Sequence, residues 1–212
     1  MNSGLKVSNS DAVLLYNGCE MKIGVLALQG AFVEHVYALQ ELGAEARQVR
    51  LPEQLEGLDA LIIPGGESTT ISKLMVAFGI RDALQARARD GLAIWGTCAG
   101  MILLSSEVDD GDLSVMGLMN MRVKRNAFGR QLDSFEADLP IAPLGQEPFH
   151  GIFIRAPAVE TVAGGVEVLA RLPGGPIVAA RQGRLLATAF HPELTPDLRF
   201  HRYFLEEVAR TG

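Results

Sequence analysis

The chain has 212 residues, 48% of them apolar and 21% charged, with a net charge of −6 at neutral pH. That length holds one ordinary α/β domain with a sizeable core. The acidic balance, with no dense Lys/Arg cluster, argues against nucleic acid as a partner, and no apolar stretch approaches the roughly 20 residues that span a bilayer.

Residues 1–20 carry no clean period. They read as a poorly ordered extension, such as an early start codon would give, or alternatively as an added element covering a sheet edge. They lack the basic and apolar regions of a secretory signal. Residues 21–212 are expected to form a single domain. It opens with the strand Lys22–Leu28, followed by an amphipathic helix with Phe32, Val36 and Leu39 on one face and Gly43 as its stop. Ala44–Val49 reads as a short strand. Asp59–Ile63 reads as a buried one that ends at Pro64-Gly65-Gly66. Ser68 or Thr69 is expected to cap a helix bearing Ile71, Leu74, Met75 and Phe78, and Arg81–Arg89 extends the helical region. The run Leu92–Trp95 is a further buried strand, and Met101–Leu104 starts a buried helix. Apolar strands alternating with helices predict a parallel sheet covered on both faces.

The second half changes character. Met119–Arg125, Phe149–Ile154, Val166–Leu172, Ile177–Arg181 and Leu185–Phe190 are short strand candidates separated by Gly/Pro turns. They predict hairpins that extend the sheet antiparallel. Within the first of them, Arg122-Val123-Lys124-Arg125 alternates as the polar face of a strand. A helix with Leu198, Tyr203, Phe204 and Val208 closes the chain.

Chemistry concentrates at Gly96-Thr97-Cys98-Ala99-Gly100, between the Leu92–Trp95 strand and the following helix. A glycine two residues to either side of a nucleophile marks a nucleophile elbow, here with Cys in place of Ser. The turn is sharp and sets the sulfur at a helix N-terminus, where unpaired amides favour a thiolate. A lone cysteine is more commonly a small buried hydrophobe, but the flanking glycines favour the reactive reading. Ligands in such sheets sit beyond the carboxyl ends of the strands. Two other strand ends converge there, Gly65-Gly66-Glu67-Ser68 and Phe190-His191-Pro192-Glu193. A strand spacing of two puts His191 and Glu193 on one side, with Pro192 stiffening the link. Cysteine needs a base to take its proton, and that base needs an acceptor to fix its orientation; His191 and Glu193 fit those roles. His35 and His201 fall on helices and His150 before a strand, as ordinary packing or surface residues. Two cysteines, Cys19 and Cys98, make no disulfide framework, so a reducing cytoplasm is the expected setting. The four scattered histidines, without CxxC or HExxH, imply no metal site and no cofactor.

The chain resembles the triad glutaminases (class I glutamine amidotransferases), and within them the glutaminase subunits of pyridoxal 5′-phosphate synthase. The resemblance runs from residue 21 to about 208. It is carried by Gly24–Gly30 (GVLALQG), Pro64–Thr70 (PGGESTT), the Cys98 elbow, Val123–Gln131 (VKRNAFGRQ), Asp133–Ala137 (DSFEA), Phe153–Pro157 (FIRAP) and Phe190–Glu193. It implies a flavodoxin-like three-layer α/β sandwich, with a mostly parallel central sheet and an antiparallel extension. It implies Cys98, His191 and Glu193 as triad, and glutamine contacts from Gly66, Glu67, Ser68, Arg125, Ile154 and Arg155. An oxyanion hole from Gly66 and Ala99 follows from the same comparison. By residue type alone, Arg125 and Arg155 would be ordinary surface ion pairs. The resemblance also implies L-glutamine as substrate, and a synthase subunit that receives the ammonia within a large hetero-oligomer. Two other readings of the same elbow are a stand-alone γ-glutamyl hydrolase and a non-catalytic redox-sensing protein on this fold.

Overall fold

The computed structural model describes residues 15–16, 19–109, 111, 113–129 and 134–210. Two short strands, β1 (Leu15–Tyr16) and β2 (Cys19–Glu20), pair antiparallel at its start. The remainder of the expected extension, and Arg130, Gln131 and Asp133 of the resembling motifs, lie outside the described residues. The domain proper then runs β3 (Lys22–Leu26), α1 (Phe32–Glu41), β4 (Glu45–Val49), β5 (Ala60–Ile63), α2 (Ser68–Ala77), α3 (Ile80–Arg89), β6 (Ala93–Thr97) and α4 (Ala99–Leu104). The second half adds β7 (Ser105–Val108), β8 (Met119–Lys124), β9 (Ser134–Leu139), β10 (Phe149–Ile154), β11 (Ala158–Val162), β12 (Glu167–Arg171), β13 (Ile177–Gln182), β14 (Leu185–Thr188) and α5 (Arg199–Tyr203).

A ten-stranded sheet has the order β4-β3-β5-β6-β14-β13-β11-β8-β7, with β12 beside β13. Strands β4, β3, β5, β6 and β14 are parallel. Every residue of β5 and β6 is buried, the pattern expected of parallel strands covered on both faces. The crossover from β3 to β4 runs opposite to that from β5 to β6. Right-handed connections therefore put α1 on one face and α2 and α3 on the other. From β14 the sheet continues antiparallel through β13, β11 and β8. The polar face expected around Arg122 is present, since β8 alternates buried and exposed, and Arg122 bridges Glu107 at 3.1 Å and Glu160 at 3.2 Å. No helix of the described residues is long and apolar enough to cross a membrane.

Three expectations are corrected. Phe149–Ile154 does not join the main sheet; it pairs antiparallel with β9 in a separate two-stranded sheet. Its alternate residues Phe149 and Phe153 are fully buried and reach Phe190 at ring distances of 5.7 and 5.4 Å, so aromatic packing fastens this hairpin onto the sheet end. Strand β7, which is not among the expected strands, pairs parallel with β8. Glu67, not Ser68 or Thr69, caps α2, because its longer side chain reaches two amides at once, Thr69 N–H at 3.1 Å and Thr70 N–H at 2.7 Å. The last helix begins at Arg199 and passes into a π-helical turn, Phe204–Val208.

Candidate active site

Strands β5, β6 and β14 are neighbours, and each ends in one of the three predicted segments. After β6 the chain bends at Cys98, whose φ of 48° and ψ of −102° lie outside the regions an L-residue prefers. The bend is held where Cys98 N–H donates to Thr188 O on β14 at 2.8 Å. Neither flanking glycine has room for a side chain: a Cβ on Gly96 would fall 2.4 Å from the Gly100 carbonyl carbon, and one on Gly100 would fall against Ile63 of β5. The helix that follows spans six residues.

After β14, His191 and Glu193 share a side for a different reason from the one expected. They belong to a single 3₁₀ turn, Pro192–Leu194, with His191 as its N-cap and Pro192 fixing the first φ, and not to a pleated strand. His191 Nδ1–H donates to Glu193 Oε1 at 2.7 Å, and Cys98 lines the same cavity as the ring, near enough to favour its charged form. His191 N–H donates to Ile152 O at 2.8 Å, which ties the turn to β10. Burial opposes charge on the ring, but Cys98 and Glu193 outweigh it and raise the His191 pKa to about 10. His191 therefore holds its second proton across neutral pH, as the imidazolium of a cysteine–histidine pair.

Beyond β5, a Cβ on Gly65 would stand 2.4 Å from His191 Cε1 and 3.3 Å from Cys98 Cβ, so this loop presses directly on both. Ala31 N–H donates to Gly65 O at 3.1 Å, and Gln29 Oε1 accepts from Glu67 N–H at 2.8 Å. The predicted residues Gly66, Glu67, Ser68, Cys98, Ala99, Arg125, Ile154, Arg155 and His191 all line one cavity of about 280 Å³. Glu193 does not line it; it stands behind His191. Partial burial works against the Glu67 charge, but donors from Thr70 and Thr69 outweigh it and lower its pKa. Arg125 reaches Glu67 Oε1 at 3.5 Å. Asn126 and Arg155 both have left-handed backbones, φ 46° and 43°, and Ala127 N–H to Ala156 O at 3.0 Å clamps their two loops together. Among the described residues, no group of three His, Cys, Asp or Glu side chains is arranged to hold a metal ion.

Several residues of this neighbourhood carried no assignment from sequence. Gln29, Ile102 and Asn126 also line the cavity. His35 and His201, expected to be ordinary helical residues, are fully buried behind the histidine–glutamate pair. Gln29 stands in one of the resembling motifs, so its position there was the available signal. Nothing in the sequence signals that residues 35 and 201 meet.

The geometry is that of a cysteine–histidine–glutamate site at the carboxyl edge of a parallel sheet, and comparison with known proteins places it in a family. The sequence matches the SNO glutamine amidotransferase family over residues 25–210, and the chain belongs to that family. It is 60% identical over 188 residues to pyridoxal 5′-phosphate synthase subunit PdxT of Herpetosiphon aurantiacus, covering 87% of this chain and 99% of that protein. It is 60% identical to the protein of the same name from Pelotomaculum thermopropionicum, covering 91% of this chain and 97% of the relative. A crystal structure described as a glutamine amidotransferase superposes with a TM-score of 0.84 at 54% identity, covering 89% of this chain and 99% of that one.

Proposed function

We propose that the chain hydrolyses L-glutamine to L-glutamate and ammonia, and that the ammonia passes to a synthase subunit for pyridoxal 5′-phosphate formation. The observation that carries this reading is the row Cys98–His191–Glu193 opening on an amino-acid-sized cavity, in a chain belonging to an amidotransferase family. The Cys98 sulfur attacks the side-chain carboxamide carbon, forming a carbon–sulfur bond as the carbonyl oxygen takes up negative charge. Backbone amides of Gly66 and Ala99 stabilise that oxyanion; losing one such donor typically costs about 3 kcal/mol. His191 passes its proton to the departing nitrogen, the carbon–nitrogen bond breaks and ammonia leaves. Water, deprotonated by the now neutral His191, then attacks the γ-glutamyl thioester; the carbon–sulfur bond breaks, glutamate leaves and the thiolate–imidazolium pair is regenerated. Arg125 and Arg155 supply donors for the substrate's α-carboxylate or shape its pocket, with Glu67, Ser68 and Ile154 completing the glutamine site. Residues 21–212 form the catalytic domain and residues 1–20 an extension to it, in line with a family match that begins at residue 25.

Ammonia is protonated and lost in bulk water, so it must travel along a shielded path within a hetero-oligomer with the synthase, in the cytoplasm. Docking of the synthase completes the oxyanion hole by turning the Gly65–Gly66 peptide. The bond from Ala31 N–H to Gly65 O is what such a turn would break. The glutaminase rate is therefore expected to rise when the synthase subunit is added; equal rates with and without it reject this step. The activity itself is tested by ammonia release from free glutamine in the presence of the synthase. Cys98→Ala removes the nucleophile and is expected to abolish release. Persistent release from Cys98→Ala, or cleavage of γ-glutamyl peptides without a partner, counts against the proposed reaction.

A further inference from the structure

Glu193 has one oxygen explained by the triad and one not. Oε1 accepts from His191, whereas Oε2 is fully buried and has no hydrogen-bond partner among the described residues. A buried carboxylate oxygen without a donor is costly. His35 of α1 points its Nε2 at Oε2 from 3.4 Å, long for a hydrogen bond, and Nε2 also lies 3.3 Å from Thr97 Oγ1. The other His35 nitrogen, Nδ1, is 2.9 Å from His201 Nε2 on α5. Trp95 closes the group, its ring 5.7 Å from His35 and 5.0 Å from His201. The titratable groups around Glu193 are thus His191 on its own turn, His35 from α1, His201 from α5 and, through His191, Cys98 from the elbow.

We propose that His35 is a positioning residue for the glutaminase reaction, holding Glu193 through Oε2, and that His201 sets the His35 tautomer that makes this possible. The inference rests on the reaction proposed above. Two arrangements of protons satisfy the His35–His201 contact. In one, His201 Nε2–H donates to His35 Nδ1 and His35 Nε2–H faces Glu193, leaving only the His201 Nδ1 lone pair without a partner. In the other, His201 Nδ1 carries an orphaned buried N–H and Glu193 Oε2 has no donor from His35. The first costs less, because buried unpaired N–H groups and unpaired charges are the expensive cases. Both rings must be neutral for it. Burial, then the charges of His201 and His191, lowers the His35 pKa well below its usual value, and burial lowers that of His201 to about 3. Long contacts of this kind commonly tighten once substrate fills the site. When Oε2 is anchored, Oε1 stays aligned with His191, and His191 keeps the proton that ammonia departure consumes.

The test is steady-state glutaminase kinetics of the full chain with the synthase subunit, for wild type, His35→Leu, His35→Gln and His201→Phe. His35→Leu is expected to lower kcat by roughly 10- to 100-fold, with KM for glutamine almost unchanged. Its alkaline limb moves to lower pH because a loosened Glu193 no longer supports the His191 proton. His35→Gln keeps an N–H toward Oε2 and is expected to restore part of kcat and of the pH limb. His201→Phe is expected to shift the limb in the same direction by less. A folded His35→Leu protein with the wild-type limb overturns the proposal, even if its kcat falls. If that variant does not fold, an unmoved limb in His201→Phe overturns it instead. Absence of wild-type ammonia release defeats the glutamine reading alone. The pH dependence of Cys98 alkylation by iodoacetamide then still reports on His191, and an identical profile in wild type and His35→Leu would separately defeat the positioning role.

Discussion

Replacing Glu193 by Gln is expected to lower kcat for glutamine by roughly 10²- to 10⁴-fold, the range spanned by losing a well-placed acid–base partner. The shape of the side chain is kept. The amide oxygen that replaces Oε1 can still accept from His191 Nδ1–H, and the His35–His201 pair can reverse its protons to receive the new amide donor. What goes is the negative charge. The His191 pKa is lowered by burial and raised by Cys98 and Glu193, and the raising influences win, at about 10. Without the Glu193 charge, burial has the larger share and the His191 pKa falls. The sign then follows directly. In the wild type the imidazolium persists as pH rises through 7 and 8, and activity declines only as pH approaches 10. In Glu193→Gln the proton leaves at lower pH, so the alkaline limb of kcat moves down. Because Glu193 does not line the cavity, KM for glutamine should change little. A kcat–pH profile from pH 6 to 10.5 checks both points, and a limb that stays near 10 would contradict this account of how His191 is charged.

The parts of this site that were legible in sequence are those whose chemistry is local. The Cys98 elbow shows itself because a strained turn between a buried strand and a buried helix needs small residues two positions either side. The parallel core shows itself because strands such as β5 and β6, buried on both faces, must be apolar at every position. The pair His191 and Glu193 is legible by spacing, although the spacing is that of a proline-initiated 3₁₀ turn and not of a strand. Contacts set by tertiary packing were not legible. His35 and His201 lie 166 residues apart and meet only because α1 and α5 cover the same end of the sheet. The β9–β10 hairpin leaves the main sheet because Phe149 and Phe153 pack onto Phe190, a preference that alternation along the strand cannot express. Glu67 as a helix cap breaks the usual residue preference, since Ser and Thr stood ready at the next positions. Its backbone position, tied to Gln29 and followed by two threonine amides, decides the matter.

Gly100→Ala is expected to destabilise the protein by about 3 kcal/mol, against what its local setting predicts. Gly100 lies inside α4, where alanine is favoured over glycine by up to about 1 kcal/mol. Propensity alone therefore predicts a more stable protein. The opposing effect is steric: the new Cβ would sit 2.2 Å from Ile63 O and 3.0 Å from Ile63 C, and both are backbone atoms of β5 that no rotamer change can move. Relief requires α4 to lift from β5, which separates packed core and displaces Cys98 from the Gly65–Gly66 loop. At roughly 2–4 °C per kcal/mol for a domain of this size, the melting temperature should fall by about 6–12 °C, and glutaminase activity should fall with it. Gly57→Ala makes the contrast, since Gly57 has a φ of 68° but open space around its Cβ. It should cost only about 1–2 kcal/mol of left-handed strain and leave activity intact. A Gly100→Ala protein as stable as wild type would mean that the elbow tolerates a looser approach of α4 to β5, and that close packing there is not what aims the sulfur.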